Sequence, residues 1–216
     1  MNTKTAGLIT FSIIAIFIFL FGVWKLTSSG GDTAYKDMLT IASADHVKWN
    51  PKAKHIMVEY SDLECPACRL MHESLKSIEA SSSPYNLITK NVAFVYRNYP
   101  LYQIHPNAYA TAYAVEAAGK QGKFFEMLDL IFADQAALEK TTDINAFLNG
   151  KASKLSLDPG RFAKDRDDKT VKDKIDADMG SGDRGGLSAT PTFYLDGKKL
   201  DSMAPEALLK LLQSLN

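Results

Sequence analysis

The chain has 216 residues, 46% hydrophobic and 23% charged, a globular composition with room for one domain and an appendage. Lys and Arg number 25 and Asp and Glu number 25, so net charge is zero; a basic chain built for phosphate backbones and an acidic disordered one are both excluded. Two cysteines, Cys65 and Cys68, exclude a disulfide-dense scaffold and a four-cysteine zinc site within the chain.

From Ala6 to Trp24 nineteen residues pass without a charge. As a helix they span about 28 Å, close to the roughly 30 Å of a hydrocarbon core, and they are apolar on every face. The run is longer than the apolar part of a secretory signal, and Thr27 and Ser29 make only a weak cleavage site. We therefore expect an uncleaved transmembrane anchor over 6–24, with 1–5 on the cytoplasmic side. Lys4 precedes the span and Lys25 and Lys36 follow it, so basic residues do not decide its orientation. Residues 25–44 read as a linker, flexible at Thr27-Ser-Ser-Gly-Gly31 and with a short helix around Tyr35–Ile41.

A domain is expected over 45–216. After a turn at Trp49-Asn-Pro-Lys52, His55–Tyr60 reads as a buried strand. Cys65-Pro-Ala-Cys68 opens a helix in which Leu70, Met71, Leu75 and Ile78 recur at helical spacing, broken at Ser81-Ser-Ser-Pro84. Asn91–Tyr96 reads as a second strand. From about 106 to 182 the pattern is helical, with Tyr109, Tyr113, Phe124, Phe125 and Phe132 as core aromatics. A solvated, charge-laced helical face covers 164–178, and the helix ends in a glycine-rich loop after Asp176–Gly180. Thr192–Leu195 and Lys198–Leu200 flank Asp196-Gly197, a hairpin signal, and Pro205–Leu215 closes as an amphipathic helix. The order is a mixed α/β domain interrupted once by helices.

Cys-x-x-Cys between a strand and a helix is a redox arrangement. Unpaired N–H groups at the helix start favour a thiolate on Cys65, and Pro66 suits the first turn, where its missing N–H costs nothing. Cys65 is then the nucleophile and Cys68 the resolving thiol, exchanging through a mixed disulfide. Glu59 lies inside the apolar strand. Buried, it would have a raised pKa and exchange a proton with Cys68; on an edge strand it would be an ordinary exposed carboxylate. Thr190-Pro191 stands just before a strand, where a cis bond beside the cysteines and an ordinary trans proline are the two readings. Glu64 adds a charge that disfavours the thiolate, which Arg69 offsets. A Cys65/Cys68/His72 metal set lacks a fourth ligand, and no metal is assigned. Glycine-rich phosphate and dinucleotide motifs are missing from the sequence, so no cofactor is assigned either.

Val58-Glu-Tyr-Ser-Asp-Leu-Glu-Cys-Pro-Ala-Cys68, Thr190-Pro-Thr-Phe193, and His105-Pro106 leading to Gly119-Lys-Gln-Gly-Lys-Phe-Phe125 together resemble the DsbA-like thioredoxin-fold family of extracytoplasmic thiol–disulfide oxidoreductases. The resemblance covers about 45–216. It implies an α/β thioredoxin-like fold with an inserted helical domain, here preceded by one N-terminal transmembrane helix. It also implies Cys65 and Cys68 as a redox-active disulfide, Glu59 as the buried carboxylate, and Thr190-Pro191 as the cis-proline element. Pro66, Ala67, Thr190 and Pro191 would face an extended substrate peptide. The expected function is exchange of the Cys65–Cys68 disulfide with cysteines of translocated proteins, as an oxidant, from the outer face of a cell membrane. The partners are those polypeptides and a membrane redox protein that reoxidises the pair; nucleic acid is not a partner. Ala67 replaces the histidine of the family's strongest oxidants, so a less oxidising pair is expected. The rival readings are a reductase or isomerase with the same residues, a copper- or zinc-binding module, and a peptide-binding domain with a structural bridge.

Overall fold

The computed structural model describes residues 13–25, 36–80, 85–201 and 204–215. Five strands form one sheet: β1 (His46–Trp49), β2 (His55–Ser61), β3 (Val92–Asn98), β4 (Thr192–Leu195) and β5 (Lys198–Lys199), in the order β1-β3-β2-β4-β5. β2 and β3 are parallel, and β1 and β4 run antiparallel to their neighbours. A parallel pair needs a long crossover. Helices α1 (Pro66–Ala80) and α2 (Tyr85–Asn91) supply it.

β2 is central, and the near-continuous apolar run of β3 is buried along its whole length, as expected for strands covered on both faces. Alternation divides the side chains. Met57, Phe94 and Tyr96 join α1 in the main core, while Val58, Tyr60, Val95 and Tyr194 meet Met38 on the other face. Helix α1 turns Cys68, Met71, Leu75 and Ile78 inward; Leu70, expected on that stripe, is 51% exposed.

Between β3 and β4 lie α3 (Ala108–Gly119), α4 (Phe124–Ala133), α5 (Gln135–Leu138), α6 (Ile144–Lys154), α7 (Pro159–Asp167) and α8 (Lys169–Arg184). The inserted helical region is thus present. Phe124 and Phe132 are buried, and Tyr109 and Tyr113 pack at the side of a smaller cluster. The β4–β5 turn carries positive φ at both Asp196 (49°) and Gly197 (75°), the pair a tight primed hairpin requires. Asp196 also accepts the Ile56 amide at 2.9 Å, tying the hairpin to β2. Helix α9 (Pro205–Gln213) closes the core with Leu208 and Leu212.

Several expectations are corrected. β1 and α2 were not anticipated, and Asn91 ends a helix instead of starting a strand. Residues 36–44 pack rather than link: Met38 is fully buried, and the Asp37 and Thr40 carbonyls accept Arg97. The 164–178 stretch breaks at Asp168, whose side chain caps α8. Its Lys164, Asp167, Lys169, Lys172, Asp173 and Asp176 are exposed, as expected of a solvated face, but Lys174 turns inward to pair with Asp45 and with the buried Asp178. Helix α8 also runs through Asp176–Gly180 to Arg184.

Residues 13–25 are helical with outward apolar side chains, Phe17 and Phe19 each 69% exposed. Among the described residues no helix is long and apolar enough to cross a membrane. The first part of the expected anchor, 6–12, and the flexible linker at 27–31 lie outside them.

Candidate active site

β2 ends at Ser61, and a short turn carries the chain into α1. Asp62 shapes that turn twice: its carbonyl accepts the Cys65 amide at 3.1 Å, and its Oδ1 accepts the Glu64 amide at 2.8 Å, an Asx-type turn. Pro66 opens α1, so Cys65 sits at the helix N-terminus. Pro66 and Ala67 are exposed, Cys65 is 7% exposed, and Cys68 is fully buried beneath it.

This placement polarises the two thiols in opposite directions. The Cys68 thiol hydrogen-bonded to Cys65 brings the latter's pKa down to about 5. Burial opposes the shift, while the Thr190 side chain and the Cys68 and Ala67 amides add to it. Cys68 is pushed well above its ordinary value, first by burial and then by the Cys65 thiolate and Glu59. Both cysteines are free thiols here.

Glu59 stands on the central strand and is 2% exposed, which removes the edge-strand reading. Burial raises its pKa to about 8 despite the Ser61 hydroxyl beside it. The Thr190–Pro191 peptide is cis, and the Cys65 thiol donates to the Thr190 carbonyl at 3.4 Å. β4 then pairs Phe193 with Glu59. Beside Pro191 a groove of about 360 Å³ runs between Ala67, Leu70 and Met71 of α1 and Thr192, Leu200 and Pro205. The structure thus brings together Cys65, Cys68, Glu59, Thr190, Pro191 and Ala67.

Other residues at the site carried no signal in the sequence. Asp62, fully buried at its carboxylate, accepts the Leu101 amide at 2.7 Å and pairs with His105 at 2.9 Å. Gln135 donates to the Leu63 and Cys65 carbonyls at 2.9 and 3.1 Å. These partners lie 39 or more residues away along the chain, beyond any local pattern. Glu64 and Arg69 do not act as expected. Glu64 turns to the start of α3 and accepts the Asn107 amide at 2.6 Å and its Nδ2 at 2.9 Å. Arg69 pairs with Glu73 one turn on. His72 stacks on Phe132 and faces Asp129 at 3.0 Å. Among the described residues no group of three or more His, Cys, Asp or Glu is arranged to hold a metal.

A central β2 feeding Cys-x-x-Cys into a helix, with a cis-proline strand alongside and helices inserted before that strand, defines a thioredoxin-fold protein with a redox-type cysteine pair. Residues 42–214 match the family model described as thioredoxin, and the chain belongs to that family. Its fold is similar to that of the thiol-disulfide exchange protein alpha-DsbA2 from Wolbachia pipientis (TM-score 0.70, 14% identity, 88% of this chain and 97% of that one). It is also similar to that of a thioredoxin-like oxidoreductase from Silicibacter pomeroyi (TM-score 0.63, 22% identity, 85% and 95%). Among curated relatives, the Na(+)/H(+) antiporter NhaA 1 of Salinispora arenicola is 36% identical over 155 residues, 72% of this chain. The chain spans only about a fifth of that relative's length, 22%.

Proposed function

We propose that the chain is a thiol–disulfide oxidoreductase that passes its Cys65–Cys68 disulfide to cysteines of polypeptides. The observation that carries this is the asymmetry of the two thiols. Cys65 is held as a thiolate at neutral pH, while Cys68 stays protonated in the core. A substrate thiolate attacks Cys65, Cys68 leaves, and Glu59, its pKa near 8, supplies the proton. A second substrate thiol then releases the oxidised product. Stabilising the reduced pair through the Cys65 thiolate makes its disulfide oxidising, so the favoured direction is donation of the disulfide.

The groove beside Pro191 takes the substrate as an extended segment, with its apolar wall at Leu70 and Met71 and the exposed Ala67 at its mouth. Residues 6–24 anchor the protein in a cell membrane. The outward apolar side chains over 13–25 support this, as does the need of an oxidant for surroundings in which disulfides persist. On that outer side a membrane redox protein reoxidises the pair.

The test is trapping. Cys68→Ala leaves the nucleophile without its resolving partner and is expected to accumulate mixed disulfides through Cys65, while Cys65→Ala abolishes exchange. Retained turnover in Cys65→Ala would refute the assignment.

A further inference from the structure

Residues 185–190 carry the chain from the end of α8 to the cis Pro191, and the first amides of this loop bond back to the helix they leave. Gly185 and Gly186 donate to the Ser181 and Asp183 carbonyls at 3.0 Å, and Leu187 donates to Gly182 at 3.1 Å, with Gly186 at a positive φ of 70°. Side chains of the β4–β5 hairpin take carbonyls of the same loop. Thr192 Oγ1 donates to Ala189 at 2.7 Å, the Tyr194 hydroxyl to Gly185 at 3.0 Å, and Lys199 Nζ to Gly186 at 3.1 Å. These three donors share one face of the hairpin. Thr192 and Tyr194 lie two apart on β4, and Lys199 is the register partner of Tyr194 on β5. The next carbonyl along, that of Thr190, accepts the Cys65 thiol itself.

Tyr194 is the buried member of the set, 4% exposed. Its ring meets Tyr60 edge-on, centroids 6.0 Å apart, in the cluster with Met38 on the sheet face away from α1. Gly185 is what lets the hydroxyl reach the loop: a Cβ there would stand 2.8 Å from the Tyr194 oxygen and 2.9 Å from the Met38 methyl carbon. Thr190, Pro191, Thr192 and Lys199 line the groove beside Cys65, whereas Tyr194 is not part of its wall.

We propose that Tyr194 is a positioning residue for substrate binding: its hydroxyl, through the Gly185 carbonyl, fixes the loop that presents Thr190 and Pro191 to the groove. The inference rests on the reading of that groove as the seat of an extended polypeptide. A loop that opens on two adjacent glycines has much conformational freedom to lose when a substrate segment lies along it. Holding the Gly185, Gly186 and Ala189 carbonyls beforehand removes that loss from the binding step, so the substrate meets a wall already in place. The hydroxyl touches no substrate atom in this scheme. It acts from the far face of the sheet, and the glycine at 185 is the opening through which it does so.

Tyr194→Phe deletes the hydroxyl and keeps the ring. The oxidised full chain is mixed with a reduced, extended cysteine peptide and, separately, with 2-mercaptoethanol, which reaches Cys65 without occupying the groove. In both reactions the attacking thiolate bonds to Cys65 Sγ as the Cys65–Cys68 bond breaks and the electron pair goes to Cys68, so the chemistry is the same and only the binding differs. Tyr194→Phe is expected to slow the peptide reaction about tenfold, through a raised half-saturation concentration at an unchanged limiting rate. Its reaction with 2-mercaptoethanol and its Cys65 titration near pH 5 should match wild type. Gly185→Ala, whose methyl group meets the hydroxyl, should give the same pattern, and the double variant should be no slower than the worse single one, because both changes act on one contact. Equal slowing with both thiols, or a wild-type peptide rate in Tyr194→Phe, overturns the positioning role and leaves the groove reading intact. If the wild-type protein shows no saturation with the peptide, the groove reading itself fails, and the role of Tyr194 with it.

Discussion

Cys65 stands just before α1 and Cys68 in its first turn, three residues apart, yet their surroundings move their acidities in opposite directions. The reduced protein should show a thiolate absorbance step at 240 nm near pH 5 from Cys65, with Cys68 silent below pH 9. A single step above pH 8 would contradict the asymmetry. Ala67 is exposed between them, so a histidine there meets no packing penalty and adds a donor or positive charge beside the thiolate. Ala67→His is expected to make the pair more oxidising by roughly 30 mV, about tenfold in the exchange equilibrium, in a glutathione titration. Glu59 has the opposite linkage. Its pKa is raised from 4.5 to about 8, so folding favours its protonated form. Stability is full below pH 4.5 and is lost as pH rises through 8. Glu59→Gln should therefore melt higher at pH 7, by on the order of 2 kcal/mol, with the gain vanishing near pH 4. An equal shift at both pH values would show that ionisation is not its source.

At the scale of elements, the site is a turn between β2 and α1 held from two sides. Asp62 and Glu64 fasten it to the loop and helix after β3, and Gln135 reaches it from α5. Gln135→Met keeps the volume but leaves the Leu63 carbonyl without that donor, which should cost about 1–2 kcal/mol in denaturant unfolding. It should also broaden the Cys65 titration; an unchanged melt and titration would show that the clamp does nothing. Local pattern announced β2, α1 and the Asp196-Gly197 hairpin because each has its own signal: an apolar run, a helical stripe, a turn dipeptide. It did not announce β1, where His46-Val-Lys-Trp49 is short and only half apolar and pairs with a strand far along the chain. The inward turn of Lys174 and Asp178 was equally hidden. Asp45, which pairs with Lys174, lies 129 residues before it, and a lysine–aspartate helix face reads as solvated throughout until that partner is placed.

At the scale of the molecule, the charges that balance to zero in the sequence are partly spent inside. Arg97 and Lys174 surround Asp45, and Lys174 also holds Asp178, joining residues 36–45, the sheet and the insertion. Lys174→Met leaves two buried carboxylates short of a cation and should destabilise the fold by about 3 kcal/mol; a melt within 1 °C of wild type would show the network to be slack. The cysteine pair, its acid and the proline loop were legible because their chemistry needs particular residue types in a short motif or at a strand start. The supporting shell was not, since any buried carboxylate or amide fills such a role once the fold brings it near. A pair poised for exchange is recognised by its reduction potential, measured for Cys65–Cys68 in equilibrium with glutathione. A value between about −270 and −120 mV, the range of exchanging dithiols, is predicted; one below about −300 mV, where structural disulfides lie, would contradict it.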